Sequence, residues 1–270
     1  MWTTLALAAL AFTPAESGQL QLANDRPTYG VMGATRPEGK VLPGDIYCVT
    51  FDVLHLQEDQ SGKVSYSMGL DLTNPKGKTQ FKRDPQDMEV VNGLGGRTMP
   101  AFAAVEIGTD YPAGEYTLKV TVTDRAAKAT QTLVRRFEVA PMTFGIVLLR
   151  NSYATTNLPP APSTGVAGQT IVVQYAAVGF QRDNNKQPNV TGAMEILDEQ
   201  NKPVLPREAV SENITRAADK EALATAEVLP LNFTVFLNRP GKFTVKVKAI
   251  DKVGNKTAET SLPLTVLESK

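Results

Sequence analysis

The chain of 270 residues holds one histidine, His55, and one cysteine, Cys48. A histidine titrates near neutral pH and can act as a general base or a metal ligand. A cysteine thiolate is a nucleophile and a soft ligand. Neither residue has the company its chemistry needs. No Gly-x-Ser-x-Gly elbow accompanies His55, no pattern pairs Cys48 with a histidine, and structural zinc takes four ligands of the Cys and His type. A single cysteine cannot close an internal disulfide. His55 is therefore read as a strand-end residue and Cys48 as a small, semi-buried apolar one. No catalytic residue, metal ligand or cofactor site is assigned.

Three further patterns could carry binding. Asn92-Gly93-Leu94-Gly95-Gly96-Arg97 has the glycine density of a phosphate cradle. A cradle needs a helix N-terminus behind it, whereas the residues after Arg97 alternate as a strand, so the segment is read as an inter-strand loop and a candidate partner-binding site. Asp124 and Asp251 are carboxylates of the kind calcium takes, but calcium needs six or more oxygens and neither aspartate lies in an Asp-x-Asp cluster. They are read as turn-starting residues. Lys242, Lys246 and Lys248 alternate along one strand, with Lys252 and Lys256 in the turn after it, a pattern that guards a solvated or edge strand or meets an anionic partner. Glycosylation sequons at Asn189, Asn213, Asn232 and Asn255 would matter in a eukaryotic secretory pathway. Sugar binding would need exposed aromatic faces. Tyr47, Tyr66, Tyr116 and Tyr175 fall on inferred core faces, and the only tryptophan is Trp2, so the supply is thin.

The elements that position these residues are strands, and they recur. Tyr29, Gly44, Gln57 and Lys78 recur as Tyr153, Gly168, Gln181 and Lys202, each 124 residues on (153 − 29 = 124). Later, Gly114, Thr117, Lys119, Val120, Asp124 and Val139 recur 127 residues on as Gly241, Thr244, Lys246, Val247, Asp251 and Val266. One three-residue insertion within 205–240 reconciles the two offsets. The glycine-rich segment at 92–97 has no counterpart. Tyr47, Val49, Phe51 and Val53 alternate with their neighbours, as do Ile171, Val173, Tyr175 and Ala177, the period of two expected of half-buried strands. Short alternating strands with turn residues between them, and no sustained helical period, predict antiparallel sandwiches. The Ala-rich stretch at 217–228 is read as a connection.

Pro112-Ala113-Gly114-Glu115-Tyr116, an alternating strand, a turn at Asp124 and the closing Phe137-Glu138-Val139 resemble the last hairpin of bacterial immunoglobulin-like and fibronectin-type-III-like domains. Arg239-Pro240-Gly241-Lys242-Phe243 through Leu264-Thr265-Val266 does the same. The cysteine pair and core tryptophan of antibody domains are missing, so the resemblance is to the disulfide-free branch. It implies an all-β fold of two tandem immunoglobulin-like sandwiches, over 18–140 and 141–270, and specifies no function. Ala140-Pro141-Met142-Thr143 is the expected linker, short enough to restrict hinging.

Residues Leu5 to Phe12 form an apolar run too short to span a bilayer, and Ala15-Glu16-Ser17 offers small residues for cleavage before Gly18. Residues 1–17 are thus expected to be an export signal, although the n-region lacks Lys or Arg. Twenty-eight basic and twenty-eight acidic residues cancel, which gives no attraction to nucleic acid. No later run suits a transmembrane helix. The expectation is a non-enzymatic exported protein, periplasmic or extracellular, with a protein or cell-envelope partner. The alternatives are a module for polysaccharide or calcium, and a two-domain periplasmic chaperone.

Overall fold

The computed structural model describes residues 18–31, 33–37, 39–211 and 220–269. The expected export signal and the sequon at Asn213 lie outside them. The fold is all-β, of sandwich type, with one short helix among the described residues.

In the first half, β1 (Gln21–Thr28), β3 (Ile46–Leu54) and β6 (Thr98–Glu106) form one sheet in the order β1-β3-β6. Facing it are β2 (Lys40–Val41), β4 (Lys63–Thr73), β5 (Thr79–Val91), β7 (Gly114–Asp124) and β8 (Ala129–Val139), in the order β2-β8-β7-β4-β5. In the second half, β9 (Gly145–Tyr153), β10 (Pro160–Ala161), β12 (Thr170–Val178) and β15 (Val228–Phe236) give the order β10-β9-β12-β15. Opposite lie β11 (Thr164–Val166), β13 (Val190–Leu197), β14 (Ala209–Ser211), β16 (Gly241–Asp251) and β17 (Lys256–Leu267), in the order β11-β17-β16-β13-β14. Apart from the two-residue β10, one strand order is used twice. The helix α1 (Lys220–Thr225) lies between β14 and β15.

Alternation along each strand sends one face inward. Val49, Phe51 and Val53 of β3 join Leu70 and Leu72 of β4 and Leu118, Val120 and Val122 of β7 in one buried cluster. Tyr47 stacks on Phe137 at 3.9 Å between ring centroids. Ile171, Val173 and Tyr175 meet Val245, Val247, Ala249, Leu262 and Leu264 in a second cluster. Each such valine, leucine, isoleucine or phenylalanine stabilises its sandwich by about 1.5–3 kcal/mol relative to exposure. The Tyr175 hydroxyl, buried with its ring, donates to the Lys248 carbonyl at 2.9 Å.

The strand registers correct one expectation. Phe51 faces Ala101 on β6, whereas Tyr175, 124 residues after Phe51, faces Leu231 on β15. The offset there is 130 (231 − 101). In place of a single three-residue insertion, six net residues enter before β15 and three leave after it. The second change is visible in the connections: residues 107–113 join β6 to β7, and 237–240 join β15 to β16. The two changes partly cancel, so only their sum shows in the flanking offsets.

The lysine stripe also needs revision. It lies on β16, between β17 and β13, so it guards no edge. Lys246 pairs with Glu259 at 2.8 Å, and Lys248 pairs with Glu208. The edges are blunted by another device. Pro100 on β6 faces Asp52 and Pro230 on β15 faces Ala176, which are equivalent positions (176 − 52 = 124). Each proline removes one backbone donor from an edge strand.

Asp124 and Asp251 are wholly buried. Asp124 Oδ2 accepts the Gln57 N–H at 2.7 Å and Oδ1 accepts those of Ala126 and Ala127 at 2.9 Å. Asp251 does the same with Gln181 at 2.9 Å and with Val253 and Gly254 at 3.1 and 3.0 Å. The turn reading extends to a clamp that holds two connections of each half together. Replacing either aspartate by alanine leaves three N–H groups without their acceptor, so each variant should lose about 2–4 kcal/mol in urea unfolding. A loss below about 0.5 kcal/mol, the range of an ordinary surface change, would contradict the clamp.

Candidate partner-binding groove

The segment Asn92-Gly93-Leu94-Gly95-Gly96-Arg97 joins β5 to β6, and a strand follows it as expected. The Asn92 side chain donates to the Gly96 carbonyl at 2.6 Å, and the Gly95 N–H donates to the Asn92 carbonyl at 2.9 Å. Gly95 and Gly96 have φ of 71° and 88°, values glycine adopts without strain. The turn therefore closes on itself. Leu94 at its tip is fully exposed.

Beside this turn, the two free strand edges of the first half leave a gap. β6 ends the three-stranded sheet and β5 ends the five-stranded one. A groove of about 250 Å³ runs between them, lined by Tyr66, Met68, Arg83, Met88, Pro100 and Phe102 among others. That is below the roughly 300–1,000 Å³ of pockets that enclose drug-sized ligands, so its capacity suits side chains. Phe81, Val90, Val91 and Phe102 of the same two strands are exposed.

The charges along β5 are mostly satisfied by neighbours. Lys82 pairs with Asp84 at 3.1 Å, Asp87 with Arg125 at 2.9 Å and Glu89 with Lys63 at 2.5 Å. Arg83, which faces Leu70 and lines the groove, has no ion pair among the described residues. A bulge at Asp84-Pro85 shifts the register there, and Gly69 opposite leaves room for it, since a Cβ would lie 3.2 Å from Pro85.

The second half builds the same corner differently. Val190 and Gly192 stand where the first half has Tyr66 and Met68, each 124 residues on. Ala209, facing Met194, takes the place of Arg83. The connection from β14 to β15 runs over 212–227 and contains α1, whose Leu223 is 4% exposed within the cluster that holds Val190, Met194 and Leu231. So a helix-borne leucine is buried where the first half has a tight glycine turn and an open groove.

His55 and Cys48 are elsewhere. His55 has φ of 63° and its counterpart Gly179 has 64°, so the histidine takes a left-handed position that glycine fills in the other half. Its N–H donates to the Arg97 carbonyl at 3.0 Å, and its ring packs against Gly18, where a Cβ would come within 2.6 Å. Its Nδ1 is buried and unpartnered among the described residues. Cys48 is 1% exposed, under a contact between the halves. There Asp45 accepts from Arg36 at 2.5 Å, from its neighbour's N–H at 2.9 Å and from the Leu148 N–H of β9 at 2.8 Å. Arg36, Asp45, Cys48, Leu148 and Arg150 line a cavity of about 80 Å³ at this junction. Arg150 Nε donates to Gln174 at 2.9 Å. Sequence reasoning missed this junction, because Leu148 is 103 residues from Asp45 and no motif links the two or Arg36.

Among the described residues no group of three or more His, Cys, Asp or Glu could hold a metal ion. The carboxylates of Asp124 and Asp251 face N–H donors, which leaves little of them for calcium. No protein-family model matches the chain, and no curated protein matches it.

Burial pushes the Cys48 thiol above its ordinary pKa, more than the Thr28 hydroxyl draws it down. The folded protein should therefore react with an aromatic disulfide reagent only as fast as it opens, and fully once unfolded in urea. A fast reaction of the native chain at neutral pH, followed by absorbance, would contradict that burial.

Proposed function

We propose that this chain is a non-enzymatic protein-interaction scaffold, exported to the bacterial envelope or beyond, built from two immunoglobulin-like sandwiches in tandem that arose by duplication. The observation that carries the interaction reading is the groove between β5 and β6. Apolar side chains exposed together on two free edge strands, with a leucine at the tip of the adjoining turn, are a feature of partner sites. The repeated strand order and the paired aspartate clamps support the immunoglobulin-like and tandem parts. Export rests on the apolar run at 5–12 and the small residues before Gly18. Docking of Gly18 against His55 agrees with a mature chain that begins there.

The chaperone alternative asks for free basic residues in the cleft between the halves. Arg36 and Arg150 line it, but Asp45 and Gln174 hold them, so the groove reading is preferred.

A photoreactive residue placed at Leu94 should give a cross-linked adduct of defined mass in an envelope fraction of the source cells. The same residue at Arg136, exposed on β8 three strands away from β5 in the five-stranded sheet, should give none. Equal labelling from both positions, or none from either, would overturn the scaffold reading.

A further inference from the structure

The turn beside the groove corresponds in the second half to a longer connection, and that connection carries a buried leucine. Before β15 the second half inserts six net residues, forms α1 and buries Leu223 in the core cluster that also holds Val190 and Leu231. The Gln187 side chain holds the start of α1 through the Lys220 carbonyl at 3.1 Å, and Arg182 reaches the Ala226 carbonyl just past its end. The first half replaces this connection by six residues that turn tightly through two left-handed glycines. The leucine of that turn, Leu94, is fully exposed. Of the groove lining, Tyr66 is buried, Met68 and Met88 are half-buried against the core, and Phe102 is exposed beside them.

The groove has a second feature that the corresponding corner of the second half lacks. Arg83 stands at its wall, while Ala209 occupies the equivalent position. The other four charged residues of β5 are paired with their neighbours. An arginine without an anionic partner beside an apolar slot is a recognition pair for a carboxylate and an aliphatic side chain on one ligand. Methionine lining suits this, since its unbranched thioether adapts to the shape of what enters.

We propose that the groove between β5 and β6 receives a partner polypeptide segment carrying a leucine-sized aliphatic side chain next to an aspartate or glutamate. The aliphatic group takes the part that Leu223 plays in the second half, between Met68, Met88 and Phe102, and the carboxylate meets Arg83. Pro100, on the edge strand β6, lacks an N–H and so cannot donate to an added strand. The side-chain slot, and not a long run of backbone pairing, selects the ligand. This inference rests on the scaffold reading and narrows it to one surface and one ligand chemistry.

The test uses the full chain labelled with ¹³C at its methionine methyls, with Met68 and Met88 assigned by substitution. Three capped peptides are titrated in turn: alternating aspartate and leucine, alternating lysine and leucine, and alternating aspartate and serine. The Met68 and Met88 signals should move with the first and stay in place with the other two. Arg83→Glu should weaken the first peptide about ten-fold or more, as expected for loss of a charge-assisted contact. Arg83→Gln, a milder change at a half-buried position, should weaken it less, and unfolding in urea checks that both variants keep their stability. Unmoved signals with every peptide, equal movement with the lysine peptide, or undiminished binding by Arg83→Glu would each overturn the proposal. If the Leu94 cross-link persists undiminished in Arg83→Glu and Met88→Lys variants, the scaffold reading stands and the groove chemistry falls.

Discussion

A buried carboxylate that accepts three backbone N–H groups is the constraint on which each half depends. Asp124 ends β7 and holds the turn it begins, and through Gln57 it also holds the connection that leaves β3. The turn lies within the five-stranded sheet and the connection crosses to it from the three-stranded sheet, so the carboxylate ties the crossing to the turn at that end of the sandwich. Asp251 repeats the arrangement with Gln181. A polar group with no exposure is costly unless its lone pairs are filled. Here the backbone fills them, which fixes the geometry and leaves little freedom to bind an ion.

Smaller devices follow the same plan. Asp59 and Asp183 each accept two N–H groups in the turn after β3 and β12. Asn74 and Asp198 do so after β4 and β13. Left-handed residues recur at the same places, Gly44 with Gly168 and Asn24 with Leu148 among them. The bulge at Leu148 has a consequence in the second half only, because it turns the Leu148 N–H towards Asp45. A local irregularity of β9 thus becomes part of the contact between the halves. With so much of the frame held in common, the connection between the fifth and sixth strands stands out as the place where the halves differ most.

The strands, their inward faces and the aspartate turns were legible in the sequence because each rests on local signals: a period of two, turn residues, and a constant offset. The glycine-rich turn at 92–97 was legible as a loop for the same reason. What its neighbourhood does was hidden. The groove lies between two free strand edges, and Met68, Met88 and Phe102 read in sequence as ordinary strand residues. The insertion before β15 was masked by a deletion after it, so the helix that buries Leu223 looked like a three-residue adjustment. The lysine stripe was legible as a solvated face, but its central place in the sheet depends on pairing between distant strands. Asp45, Arg36 and Leu148 carry no pattern that brings them together before the chain folds.

The central claim is that the connection at this corner carries a buried leucine in the second half and an exposed one in the first. Truncating the two leucines of the corresponding connections tests it most directly. Leu223→Ala should destabilise the protein by about 2–5 kcal/mol, the cost of emptying a buried site. Leu94→Ala should change stability by less than about 0.5 kcal/mol. Equal losses for the two variants in urea unfolding would contradict the account, as would a Leu223→Ala protein as stable as the parent.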